Sequence, residues 1–461
     1  MESDVATNTA CVINIANNFY HDLQCSNSCP DSKQEGLLDV CWPEGFLKYP
    51  AGISFSLRQG EKNLTIIPSF SLRNTSMDWK YMTVPDNSSC NSVGCFWDGG
   101  KVLGPSNVLN AMWYVRDNND IRIVDLKYHG FAEPLKVEQF RYPDENAIGM
   151  LKAFKELGYK EADSDGEQQE GVAQYTLHQG KRWITNTAFL KTVRYIRSNL
   201  KVVTNVRITK ILINSSSKKA HDVEYNINNE LSSYYIEITK KKVILSAGTI
   251  NSPQLLKLSV IGPKTVLDDF GIALILDLKV RFNSQDHVIS SGVEFILNEN
   301  TQLRCLQYTA DKFEYLLSST GPLATTRPKS RGRLNLDSND PLTNALIYPN
   351  YFAEESDILL MLKGLLFVRV MLLLRICYLD VKVGTEPYWR FALRTNTKSI
   401  NHPVGVCKMG PYNDTDAVVD PQLRVVDASI MSVIPRGNIN DTTIMITKKE
   451  ADMIKTKWQK S

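Results

Sequence analysis

The sequence predicts an α/β fold with α+β character, and three kinds of stretch carry that prediction. "KKKVILSAGTINSPQLLKL" (240–258) runs an apolar strand through a glycine turn into a helix. "NLKVVTNVRITKILIN" (199–214) alternates apolar and polar residues as a strand pair does. "ENAIGMLKAFKELG" (145–158) and "DTTIMITKKEADMIKTKW" (441–458) repeat apolar residues at helical spacing. Strands that feed helices, beside strands that pair locally, are what α/β and α+β proteins share.

The elements follow in chain order. Residues 1–59 have little periodicity and many turn formers, so a poorly ordered N-terminal region is expected there. "GKVLGPSNVLNAMWYVR" (100–116) has helical spacing after a Gly-bounded loop, with Val108, Met112 and Val115 on one face. Gly158 closes the 145–158 helix. In the 240–258 stretch the turn falls at Gly248, Ser252 caps the helix and Pro253 takes its first position. The most apolar run, "ILLMLKGLLFVRVMLLLRICYL" (358–379), is interrupted by Lys363, Arg369 and Arg375. Charges that frequent argue for a buried helix with snorkelling cations and against a membrane span.

Composition narrows the function classes. With 461 residues, the chain has room for two or three domains with full cores. Lys plus Arg (53) nearly balance Asp plus Glu (50), so no nucleic acid or other polyanion is implied as a partner. Of nine cysteines, Cys11, Cys25, Cys29, Cys41, Cys90 and Cys95 crowd the first hundred residues without paired CxxC spacing, which favours disulfides over zinc. N-glycosylation triplets at Asn63, Asn74, Asn87, Asn214, Asn413 and Asn440 join the cysteines in favouring a secreted protein. Against that stands "MESDVATNTACVINIANNFYHD", in which no signal peptide is visible.

"HPVGVCKMG" (402–410) raises the question of chemistry. His402, Cys407 and Met409 are copper-type ligands, but a second histidine is expected, and His21, His129, His178, His221 and His287 stand in unrelated contexts. His402 is otherwise a base or a core histidine. A nucleotide-binding turn would read G-x-G-x-x-G between a strand and a helix. None of the 25 glycines stands two positions from another, so that fingerprint is absent.

Four segments taken together resemble a known family. They are 100–116, "KRWITNTAFLKTVRYIRSNLKVVTNVRITKI" (181–211), "VILSAGTINSPQLLKLSVIGPKTVLDDFGI" (243–272) with "QDHV" (285–288), and "HPVGVCKMGPYNDTDAVVDPQLRVVDASIM" (402–431) with "GNINDTTIMI" (437–446). In this order they resemble the glucose–methanol–choline oxidoreductases, above all the insect glucose-dehydrogenase-like branch. "DWKYMTVPDNSSC" (78–90) followed by Cys95-Phe96-Trp97 looks like the same branch. The resemblance implies an FAD-binding Rossmann-like domain, here incomplete, over 60–290 and an antiparallel-sheet substrate domain over 326–455. It implies FAD as cofactor, an alcohol or sugar as substrate, quinone or oxygen as electron acceptor, and no metal. His402 would be the catalytic base, since histidine titrates near neutrality, and Asn438 its partner at the substrate oxygen. Val102, Gly104, Asn110, Ile208, Asp427 and Ala428 would lie along the flavin, adenine, ribityl and diphosphate. Cys90 and Cys95 match a local disulfide of the insect branch.

The chain also departs from that family, chiefly at the cofactor. The strand–GxGxxG–helix unit is missing from residues 1–62. Pro105, Asp117, Val260 and Arg281 stand where the family usually has glycine, and Val406 follows Gly405 in place of threonine. Segments look excised between Asp117 and Tyr128, between Thr326 and Arg327, and at Val425-Val426. Two functions therefore stand at this stage: an FAD oxidoreductase of CH–OH groups, and a non-catalytic remnant that cannot hold FAD.

Overall fold

The computed structural model describes residues 73–110, 181–197, 206–227, 243–290, 327–375, 385–422 and 425–459, with shorter pieces between them. The expectation of poor order over 1–59 lies outside the described residues, apart from one strand, β1 (Cys11–Ile13). Further strands in chain order are β2 (Tyr81–Met82), β3 (Phe96–Trp97), β4 (Val206–Ile213), β5 (Ala220–Ile227), β6 (Ser233–Glu237) and β7 (Val243–Leu245). They continue with β8 (Val288–Ser290), β9 (Ala324–Thr325), β10 (Arg333–Asn335), β11 (Leu346–Tyr348) and β12 (Thr397–Ser399). The helices are α1 (Pro105–Leu109), α2 (Gly248–Leu258), α3 (Lys264–Asp269), α4 (Glu355–Arg375), α5 (Glu386–Thr395) and α6 (Ile439–Gln459).

The continuous apolar run Val243-Ile244-Leu245 suits a strand buried on both faces, and it is the centre of a parallel arrangement. β1 pairs with β7 in parallel register, Cys11 to Val243 and Ile13 to Leu245. On its other side Leu245 bridges Val425 in parallel and accepts the Val426 N–H at 2.8 Å. The chain then turns into α2, whose residues from Thr249 to Leu258 are all buried. Next to this layer β4, β5 and β6 form an antiparallel sheet in sequence order. Ile208, Ile211, Val223, Leu255, Val404 and Val426 meet in the core between them.

A second core belongs to the other half. The antiparallel pairs β10–β11 and β2–β3 enclose Trp97, Leu334 and Ile347 with Ile358 and Met361 of α4 and Leu393 of α5. Trp79 packs against both cores. β8 is the middle strand of a small antiparallel sheet, between β9 and β12.

Several sequence expectations need correction. Helix α1 stops at Leu109, and Trp113–Tyr114 is a strand, so the 100–116 segment is not one helix; Met112 and Val115 lie outside the described residues. Helix α2 starts at Gly248, leaving Ser252 and Pro253 inside it. The reason is a cap from elsewhere: Asp427 accepts the Gly248 N–H at 3.0 Å, so the helix needs no local cap at Ser252. The Ser252 hydroxyl instead accepts the Ala247 N–H at 3.0 Å. Among the described residues no helix is long and apolar enough to cross a membrane, and Lys363 of α4 is exposed among buried neighbours.

Of the positions where glycine was expected, Val260 stands apart. Its φ is +69°, in the left-handed region, and its carbonyl accepts the Ile275 N–H at 2.9 Å. Arg281 has no positive φ and stacks on the Phe282 ring, so the substitution there asks nothing unusual of the backbone. Pro105 sits at the start of α1 behind Gly104, whose φ is +95°, a position proline favours.

Candidate active site

The site forms where 285–288 and 399–404 run antiparallel. Gln285 and Val404 exchange both backbone hydrogen bonds, at 3.1 and 2.9 Å. Val288 pairs with Ser399 further along. Three residue steps on one side thus face five on the other. The surplus is taken up at Asn401, whose φ is +62°, as in a widened β-bulge. The bulge brings His402 against His287, with Nδ1 to Nδ1 at 2.8 Å and ring planes 76° apart. His287 Nε2 lies 2.9 Å from the Pro435 carbonyl oxygen. Sequence reading had set His287 apart from His402; the register of two distant segments overturns that.

Asp286, between the two paired positions, holds this corner together. Its carboxylate accepts the His402 N–H at 3.0 Å and the Tyr351 hydroxyl proton. Tyr351 in turn accepts Trp97 Nε1–H at 3.1 Å. Burial pushes the Asp286 carboxyl up to about 6, opposed by hydrogen bonds from Ser399, Tyr351 and the backbone of His402 and His287. His402 is half-buried by area, yet enclosed deeply enough that burial, with His287 beside it, holds its pKa well below the ordinary imidazole value. The ring is neutral near pH 7.

The loop carrying the first family-like segment is fastened at both ends of this corner. Asn401 and Asp98 exchange hydrogen bonds, 2.9 Å to the Asp98 N–H and 2.8 Å to its carboxylate. At the other end Asn107 donates to the Asn440 side-chain oxygen, two residues past Asn438. Burial raises the Asp98 carboxyl to about 6, against the lowering effect of Arg73, 2.7 Å away. Arg182 reaches in with one guanidinium nitrogen shared by the Asn107 carbonyl and both oxygens of Asn110, at 3.0, 2.7 and 2.8 Å. Arg182 was not singled out by sequence, although it lies in the second family-like segment.

The remaining sequence-predicted residues fall as follows. Asp427 caps α2 through Gly248 and Ser252 and accepts the Ser429 N–H at 2.8 Å. Ala428 is buried beside it, and its carbonyl accepts the Gly405 N–H at 3.4 Å. Thr249 at the start of α2 donates to the Pro403 carbonyl at 2.7 Å, fixing α2 next to His402. Gly104 sits against Asn186 and Ile184. Val102 is buried. Ile208 is packed into the core cluster with Ile211 and Leu255. Asn438 precedes α6, three residues after the Pro435 that receives His287. Among the described residues no group of three His, Cys, Asp or Glu is arranged to hold a metal.

The fit to a flavin dinucleotide is divided. A Cβ added at Gly248, beside the Asp427-capped start of α2, would meet nothing within 4 Å, so there is space next to Gly248 for a ligand. At β1, however, the strand is present and its glycine turn is not. Residues 14–19 read Asn-Ile-Ala-Asn-Asn-Phe, and the next glycine is Gly36. A diphosphate needs backbone N–H groups at close approach, which glycines permit. The site side fits, and the diphosphate side does not.

Comparison with known proteins places this arrangement. The GMC oxidoreductase family models match residues 122–289 for the N-terminal part and 328–447 for the C-terminal part. The chain belongs to the GMC oxidoreductase family. Within it, the chain is 30% identical to glucose dehydrogenase [FAD, quinone] of Drosophila melanogaster, over 85% of this chain and 80% of that protein. It is 29% identical to human mitochondrial choline dehydrogenase over 82% and 79%, and 28% identical to alcohol dehydrogenase [acceptor] of Pseudomonas putida over 82% and 85%. The insect alignment runs over 512 positions, more than the 461 residues of the whole chain, so that relative carries segments this one lacks. Among solved structures, pyridoxine 4-oxidase from Mesorbium loti superposes with a TM-score of 0.72 at 22% identity, covering 83% of this chain and 89% of that one. This likeness is one of fold: the α/β FAD-binding fold of the family.

Proposed function

We propose that this protein is an FAD-dependent oxidoreductase acting on the CH–OH group of a small alcohol or sugar, with His402 as the base. The observation that carries it is a neutral histidine whose Nε2 has no partner among the described residues, held against the 243–288 family-like segment. In this reading Nε2 removes the hydroxyl proton, and Asn438 hydrogen-bonds the substrate oxygen. FAD, when bound, supplies the acceptor for the carbon-bound hydrogen. Val102, Gly104, Asn110, Ile208, Asp427 and Ala428 line the cofactor. A quinone is the favoured acceptor over oxygen, because the insect relative is a glucose dehydrogenase [FAD, quinone]. The same reading makes the protein secreted, with Cys90 and Cys95 oxidised; their Cα atoms are 5.4 Å apart, within disulfide reach. Asn74, Asn87, Asn214 and Asn413 are exposed as glycosylation would need, whereas Asn440 is tied to Asn107 at the start of α6.

A second reading, a remnant without catalysis, is favoured by the glycine-free sequence after β1. One experiment separates the two. The purified chain is incubated with excess FAD, desalted, and its flavin absorbance recorded before and after adding alcohols and sugars with a quinone. Stoichiometric flavin that bleaches with a substrate supports the oxidoreductase. Colourless protein supports the remnant.

A further inference from the structure

We propose that His287 is a positioning residue that sets the tautomer of His402, leaving its Nε2 bare and aimed at chemistry. The argument is a count of protons along a short chain of acceptors. The Pro435 carbonyl can only accept, so His287 Nε2, 2.9 Å away, carries a hydrogen. A neutral His287 then has a lone pair at Nδ1. His402 Nδ1, 2.8 Å from it, must donate, so the hydrogen of a neutral His402 resides on Nδ1. Its Nε2 is left as a lone pair, and no described residue bonds to that atom. The backbone holds both rings still: Asp286 grips the His402 N–H at 3.0 Å, and the Ile400 N–H reaches the His287 carbonyl at 3.3 Å.

The arrangement also serves the charged form. When Nε2 takes a proton, His402 becomes an imidazolium that keeps its Nδ1–H bond to a neutral His287. If His287 were itself protonated it would donate from both nitrogens. His402 Nδ1 would then have to accept, and the His402 hydrogen would move to Nε2, turning the base into an acid. One proton on His287 thus decides the role of its neighbour.

The inference rests on His402 being the base for its meaning in turnover, and its geometry can be tested without that. The full chain labelled with 15N-histidine is studied by long-range 1H–15N correlation near neutral pH, with H287Q and H402N used to assign the two residues among six histidines. His402 is expected as the Nδ1–H tautomer and His287 as the Nε2–H tautomer. An Nε2–H or doubly protonated His402 overturns the proposal. In FAD-loaded protein H287A should lower kcat by about tenfold or more with KM little changed, because base catalysis is worth about 10²–10⁴-fold. H287Q, which can still accept with its oxygen and donate with its nitrogen, should recover part of that loss; equal loss in both variants counts against the proposal. If the tautomers are as stated while H402N stays fully active, the pair stands and the choice of base falls.

Discussion

Val260 to glycine is the sharpest test of the backbone that this sequence has inherited. Val260 ends the turn after α2 with φ at +69°, a conformation that a β-branched residue adopts under strain of about 1–3 kcal/mol. The turn cannot relax, because the Val260 N–H is bonded to Lys257 at 3.1 Å and its carbonyl to Ile275 at 2.9 Å. The side chain is half-buried, so trimming it to alanine loses roughly half the value of two methyl groups, about 1 kcal/mol. Alanine keeps a Cβ in the left-handed region, so V260A should lose about 1 kcal/mol with most of the strain still present. Glycine loses slightly more packing and about 0.5–1 kcal/mol of chain entropy, but removes the strain altogether. V260G should therefore lie between about 1 kcal/mol below and about 1 kcal/mol above the wild type, and above V260A. Urea unfolding of the three proteins, compared at midpoint with equal slopes, measures the order. If V260A is as stable as V260G, the strain is not there and the reasoning fails.

Other perturbations follow from the same structure. Lys257 is wholly buried and donates to the Leu334 carbonyl at 2.8 Å, and burial brings its ammonium down to about 7. A base so depressed stabilises the fold above its unfolded pKa and loses that contribution as pH falls from there toward about 7. The wild type should thus gain up to about 1.4 kcal/mol per pH unit relative to K257M between about pH 7.5 and about pH 9.5; urea midpoints that shift in parallel would rule this out. D427A strands the Gly248 and Ser429 N–H groups and the Ser252 hydroxyl. It should cost at least about 2 kcal/mol, since each buried unmet group is worth about 1–3, and an unchanged melting curve would contradict the capping role. Cys90 and Cys95 should resist thiol labelling without reductant and label after it; labelling of both beforehand rejects the bond.

The fold was legible where local pattern and burial agree. The apolar run at 243–245 and the alternation at 206–213 became the strands they resembled. The start of α2 was misread because its cap, Asp427, lies 179 residues away from Gly248, beyond any local signal. The 100–116 segment was misread because helical spacing persists past Leu109, where Arg182 takes over the Asn110 oxygens from any further turn. His402 was found from its motif, while His287 was passed over. Its only sequence signal was membership in "QDHV", and what gives it a partner is a register set by Asn401. Glycine expectations held at one place for a physical reason, since Val260 has the left-handed backbone that glycine would supply and Arg281 does not.

The histidine pair also joins the two halves of the chain in time. Its members are 115 residues apart, and the Asp286–Tyr351–Trp97 string beside them spans still more. Contacts between residues so distant close large loops and form late in folding. A nascent chain that has emerged only as far as His287 holds half of the pair. The pair thus assembles in a single step, when the C-terminal strand lays Asn401 and His402 along the N-terminal one.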